Sequence, residues 1–154
     1  MTHHYVATVE WTGNTGNGTA TPVGYERRHD IRIAGKPAIA GSSDPSFRGD
    51  PACHNPEDLL VASVSACHML WFLGLCAAAK VVVTAYEDRA EGFMEVGADG
   101  GGKFTKIVLR PRVTVSGAPS EQVLAALHHD AHAKCFIANS LNFTVDHDPE
   151  TIWA

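Results

Sequence analysis

Hydrophobic and polar positions along this chain follow two different periods. Residues 4 to 11, HYVATVEW, mix β-branched and aromatic side chains in rough alternation and predict a strand. TGNTGNGTATP after it is a glycine- and asparagine-rich loop. Residues 25 to 34, YERRHDIRIA, resume strand character, and Gly35-Lys36-Pro37 turns the chain, so a short hairpin is expected. GSSDPSFRGDPACH, residues 41 to 54, has no periodicity and reads as a loop leading into a helix. That helix has a capping residue in Asn55, a proline suited to its first position in Pro56, and two carboxylates, Glu57 and Asp58, at its positive end. It then runs almost wholly apolar from residue 59 to residue 79.

Beyond it, residues 81 to 96 and 103 to 116 are strand-like runs joined by GADGGG, with Pro111 expected on an edge or at a bulge. Ser120 caps a second helix that sets Val123, Leu124, Leu127 and Ala131 on one face. NFTVDH, residues 142 to 147, closes as a strand. The order ββ-α-ββ-α-β predicts an α+β fold in a single domain over residues 1–154.

The 21 residues from 59 to 79 are long enough to cross a bilayer. Ser63, Ser65, Cys67 and His68 cluster mid-span, aromatic anchors are missing from both ends, and only Lys80 offers a positive flank. A helix buried between sheet and a second copy of itself fits better, and no membrane partner is expected. Within it Met69, Leu70, Trp71 and Phe72 read as core or pocket lining. A net charge of −5 without any Lys/Arg stripe argues against nucleic acid. Four scattered cysteines without a CxxC, behind an N-terminus lacking signal-peptide character, point to a reducing, cytoplasmic setting.

Of those cysteines, Cys67 is followed by His68, and Cys135 is preceded by His132 and Lys134, groups that favour a thiolate. Two such thiols can form a redox pair, whereas the plain alternative is a pair of small buried hydrophobes. Cys76 is most simply core. A second chemical reading is a metal site, because His128 and His132 stand at i, i+4 and Cys135 three residues further on, with Cys53-His54 in another loop as possible additional ligands.

NPEDLLVASVSACHML followed much later by HAKCFIANS resembles the OsmC/Ohr family of thiol peroxidases, and HYVATVEWTG extends the likeness to the start of the chain. The resemblance implies reduction of organic hydroperoxides, with Cys67 as the attacking thiol and Cys135 as the resolving thiol. It also implies an arginine and a glutamate at the site. Glu57 matches the glutamate; Arg48 matches the arginine of those members in which it precedes the helix, with Arg27, Arg28 and Arg32 as rivals from the early strand region. No cofactor is implied. The expected partners are an organic hydroperoxide and a dithiol reductant resembling a dihydrolipoyl group on a protein.

The implied architecture is an OsmC-like fold: antiparallel sheets from two subunits wrapped around long central helices in an intertwined homodimer. Glu57 and Cys67 stand about 15 Å apart along one helix and about 80° around it, so they cannot touch within one chain; if both serve one site, as the resemblance implies, the simplest solution is a two-fold axis. The rival from a different class is a non-enzymatic dimeric module that binds a lipid or small apolar ligand, for which neither Cys67 nor Cys135 is needed.

Overall fold

The computed structural model describes all residues, 1–154, and divides into two units, Met1–Leu59 and Leu60–Ala154. The first holds an antiparallel sheet of β1 (Thr8–Trp11), β2 (His29–Arg32) and β3 (Ile39–Gly41) in that order. β3 lies where the sequence suggested only turn and loop, and its three residues are too few to show a period. No apolar side chain of residues 1–59 is buried; Tyr5, Val6, Val9, Trp11 and Val23 are all exposed.

Helix α1 (Pro56–Ala78) begins at the expected place. Asn55 Oδ1 accepts the backbone N–H of Asp58 at 2.8 Å, satisfying one of the free donors of the first turn. The chain leaves the helix, which ends at Ala78, through Lys80, whose left-handed φ of 58° lets its own N–H reach Ala77 O and that of Val81 reach Cys76 O. Only Val64, His68, Phe72 and Cys76, at intervals of four, are buried. The expectation of a helix buried on nearly all sides therefore holds, within one chain, for a single stripe. Leu70, expected inside, is 66% exposed, and Trp71 is half-buried.

In the second unit β4 (Val82–Asp88), β7 (Pro111–Ser116) and β9 (Glu150–Trp153) form one sheet, and β5 (Glu91–Val96), β6 (Gly102–Leu109) and β8 (Thr144–His147) another. Each pairs its first two strands antiparallel and its last two parallel, so the sheets are mixed, not antiparallel as anticipated. The reason is the helix α2 (Glu121–Lys134) that intervenes before β8 and β9 and returns the chain in the direction of β6 and β7. β9 went unread because ETIW is short and begins with a charge.

Each long strand-like run is in fact two strands. Pro111 has no N–H to give a ladder, and it stands as the first residue of the central strand β7, not on an edge or bulge. The neighbouring groups are satisfied around it: Arg110 N–H donates to Asp88 Oδ1 at 2.7 Å, and Asp148 N–H to Leu109 O at 2.8 Å. The β5–β6 hairpin turns through Gly100, whose φ of +82° a side-chain-bearing residue rarely adopts.

Two apolar clusters follow. Val64 joins Ile107, Leu109 and Val145; Phe72 and Cys76 join Val113, Val115, Leu124, Leu127 and Ala131. Ser120 caps α2 as expected, its side chain accepting from Val123 N. Val123 itself is 42% exposed, and His128 takes the buried place assigned to it.

His68 stands between the clusters on α1. Its Nε2 lies 3.1 Å from His128 Nδ1, and the two rings are coplanar within 4°. Burial, followed by the neighbouring His147 and His132, lowers His68 to about 4; burial, followed by His68 and His147, lowers His128 to about 3. Both are neutral in the fold at neutral pH. Unfolding frees them to bind protons near pH 6.5, so the unfolded chain carries more protons than the folded one below that pH. The contribution of this pair to stability is fully present above pH 6.5 and declines as pH falls toward 4. Urea unfolding midpoints should therefore drop between pH 6.5 and 5, above the carboxylate range, and a His68→Gln/His128→Asn double variant should lose most of that slope.

Candidate functional site

Cys67 lies in the middle of α1, one residue before His68, and is half-buried. Cys135 is the residue that ends α2, its N–H bonded to His132 O, and it is 1% exposed. Each is a free thiol. The structure brings them together: the Cys67 thiol lies close enough to Cys135 to raise its pKa. The second element that shapes the pair is the turn after α2, where Ala138 N–H donates to Cys135 Sγ at 3.4 Å.

Burial first, and the Cys67 contact second, push the Cys135 thiol up to about 11. The sequence suggested that His132 and Lys134 would favour a thiolate there; they do not, because Lys134 is turned over the Trp71 ring at 5.8 Å and the site is desolvated. At neutral pH Cys135 is a thiol. Cys76 is core as expected, with burial raising it also to about 11.

The surface beside the pair is apolar. Trp71, one turn after Cys67, meets Phe136 edge to face with centroids 5.4 Å apart. Phe136, which follows Cys135, is 69% exposed.

The arginine candidates all belong to the first unit. Arg48 follows a single 3-10 turn, Pro45–Phe47, in the left-handed region at φ 65°. The turn is held by Asp44, which accepts from Ser46 N, and by Gly49, where an added Cβ would stand 1.5 Å from Ser43 O. Arg48 is exposed, and together with Arg27, Arg28 and Tyr25 it lines a cleft of about 410 Å³. Arg27 is occupied by Tyr25 O and Pro22 O, both at 2.7 Å. Arg28 pairs with Asp50, and Arg32 with Glu10 and Asp30. Arg48 has no side-chain hydrogen bond or ion pair, and Glu57, half-buried in the first turn of α1, likewise has none.

The residues read as a metal site do not converge. His128 faces His68 and Cys135 faces Cys67, and no three His, Cys, Asp or Glu side chains are disposed to hold an ion. What the sequence left unread is the cluster they belong to: His68, His128, His132 and His147, with ring centroids 5.4 to 6.4 Å apart between His147 and the other three. No spacing signals it, because its members come from α1, α2 and β8.

Residues 49–150 match the family model described as OsmC-like protein. An OsmC-like protein of unknown function from Vibrio cholerae is 35% identical, with 96% of this chain and 99% of that one covered and a TM-score of 0.86. An organic hydroperoxide resistance protein from Elizabethkingia anophelis aligns over 100% of both chains at 16% identity and a TM-score of 0.67. An organic hydroperoxide resistance protein OsmC from Legionella pneumophila, also 16% identical, covers 97% of this chain and 96% of its own with a TM-score of 0.66. At that identity the last two likenesses are of fold alone. No curated protein matches the sequence. The shared fold accounts for α1 as a structural helix instead of a membrane span, and the chain belongs to the OsmC-like protein family.

Proposed function

We propose that this protein is a cytoplasmic, cysteine-based peroxidase that reduces organic hydroperoxides to alcohols in oxidative-stress defence, with residues 1–154 acting as one OsmC-like domain. The observation that carries the reading is the thiol pair: Cys67 half-buried, Cys135 buried against it and held protonated, both free. An attacking thiol must be reachable by substrate, and a resolving thiol must wait as the thiol within reach of it. A module that only binds an apolar ligand has no use for this arrangement. Names of fold neighbours, organic hydroperoxide resistance proteins among them, point the same way.

The chemistry runs in three steps. The Cys67 thiolate attacks one oxygen of the hydroperoxide; an S–O bond forms, the O–O bond breaks, and the alcohol leaves with a proton, giving Cys67 sulfenic acid. Cys135 attacks the Cys67 sulfur, forming the disulfide and releasing water. An external dithiol, a dihydrolipoyl group carried on a protein, reduces the disulfide by exchange. Arg48, free of partners in the single chain, holds the peroxide oxygens and favours the thiolate, and Glu57 orients it once the site is assembled. Trp71 and Phe136 receive the organic part of the substrate.

We infer further that the working form is a homodimer, with Arg48 and Glu57 of one subunit serving Cys67 and Cys135 of the other. Dimers are common in the family. Two features of the single chain support this reading. Its first 59 residues bury no apolar side chain, and α1 buries only four of its 23. Soluble proteins rarely leave so apolar a helix covered on so few residues.

Cumene hydroperoxide added to the reduced protein should consume two thiols and form the Cys67–Cys135 disulfide, read by mass spectrometry; persistence of all four thiols with undiminished peroxide would refute the peroxidase reading. Cys67→Ser should bring turnover to background, while Cys135→Ser should allow one oxidation and then accumulate Cys67 sulfinic acid. Arg48→Ala should slow the first attack by roughly a hundredfold. Sedimentation should give a dimer at working concentration. Glu57→Ala and Cys67→Ser subunits, each inactive alone, should regain activity when mixed under exchange; an active monomer would rule out the shared site.

A further inference from the structure

The buried imidazole pair behind the thiols is used by none of the steps above. We infer that the hydrogen bond between His68 and His128 is the positioning device that holds α2 against α1 so that Cys135 meets Cys67. This rests on the peroxidase reading for its consequence in turnover, though not for the geometry.

The argument begins from the atoms. His68 Nε2 and His128 Nδ1 are 3.1 Å apart with coplanar rings and centroids 5.5 Å apart, so the bond lies in the plane of both rings. Two neutral imidazoles bond in this way only as complementary tautomers, one nitrogen donating and the other accepting. His68 Nδ1 is buried without a partner. An orphaned lone pair is tolerated better than an orphaned N–H, which assigns the proton of His68 to Nε2 and makes His128 Nδ1 the acceptor. Phe72, one turn beyond His68 on α1, stacks on the His128 ring at 3.9 Å and 13°, which fixes the ring's orientation as well as its distance. An apolar contact accepts sliding and rotation; an in-plane bond to a ring that is itself stacked on Phe72 does not.

Both ends of this bond lead to a thiol. His68 adjoins Cys67 in sequence. His128 precedes Cys135 by seven residues, two turns of α2, so that the two fall within about 20° on the same helical face. Leu124, Leu127 and Ala131 complete that buried face. A change in distance or rotation at His128 is therefore carried by a rigid helix to the sulfur that must meet Cys67. Disulfide formation is intolerant of such error, since Cβ atoms must approach to about 3.8 Å.

The test measures the Cys67–Cys135 equilibrium in glutathione redox buffers of known ratio, which needs no peroxide. His128→Phe keeps the stack on Phe72 but removes the acceptor; it should lower the disulfide equilibrium constant at least tenfold, about 30 mV for this two-electron couple. His128→Asn, whose Oδ1 can accept in place of Nδ1, and His68→Gln, whose Nε2 can donate, should stay within about threefold of the parent. Leu124→Ala, which loosens the same helix face without touching the pair, should lower the unfolding midpoint and leave the constant unchanged. His68→Met makes the same comparison from α1 if His128→Phe does not fold.

A parent-like constant in the Phe or Met variant, or equal losses in the Phe and Asn variants, would overturn the proposal; so would a parent protein in which the two thiols never pair. A parent that forms the disulfide in glutathione yet ignores hydroperoxide would leave this inference standing and remove the peroxidase reading alone. With hydroperoxide, His128→Phe should raise the yield of Cys67 sulfinic acid relative to disulfide about tenfold at equal first-attack rate, and His128→Asn should restore the parent ratio.

Discussion

The contact between α1 and α2 is the constraint on which the proposed thiol chemistry depends. Neither helix carries a complete site: α1 brings Cys67 and His68, and α2 brings His128 and ends on Cys135. Polar and ionisable groups meet in a place otherwise filled by Phe72, Leu124 and Ala131. A buried polar group without a partner costs about 1–3 kcal/mol, so the docking of these helices has few alternatives of equal energy. That discrimination is what a pair of thiols needs if one is to wait for the other.

The two sheets of the second unit support that docking. Pro111 breaks the central strand line between β6 and β7, and the same break is matched at Arg89-Ala90 and at Asp148-Pro149. Each half offers its own apolar cluster to α1, Val64 meeting one and Phe72 with Cys76 the other. His68 falls between them, where the apolar packing is interrupted and a polar residue displaces least. Its low affinity for protons is a consequence of the same position, burial being the largest cause.

The exposed part of the molecule is as informative as the core. An apolar helix with one covered stripe and a 59-residue unit with no buried apolar side chain are incomplete by the measure of an ordinary monomer. Arg48, set at a left-handed turn by Gly49 and without a partner of its own, belongs to that unit. Proposing that the second copy supplies what each lacks joins the two observations, since the surface that needs cover and the arginine that needs a substrate are satisfied together.

Local patterns determined a good deal of this. The cap at Asn55, the cap at Ser120, the length of α1 and the glycine hairpin before β6 depend on neighbours in sequence, and each is read from residues a few positions apart. The motifs around them name Cys67, Cys135, Arg48 and Glu57 as candidates, and the structure brings the two cysteines together. Tertiary structure alone decided the rest, because it depends on groups far apart in the chain. The burial that keeps Cys135 a thiol comes from its surroundings and overrides the adjacent His132 and Lys134. The parallel pairing of β8 and β9 follows from the path of α2. The imidazole pair joins residues 60 apart in sequence, a distance at which no periodicity or spacing carries information and only the fold can bring two nitrogens within 3.1 Å.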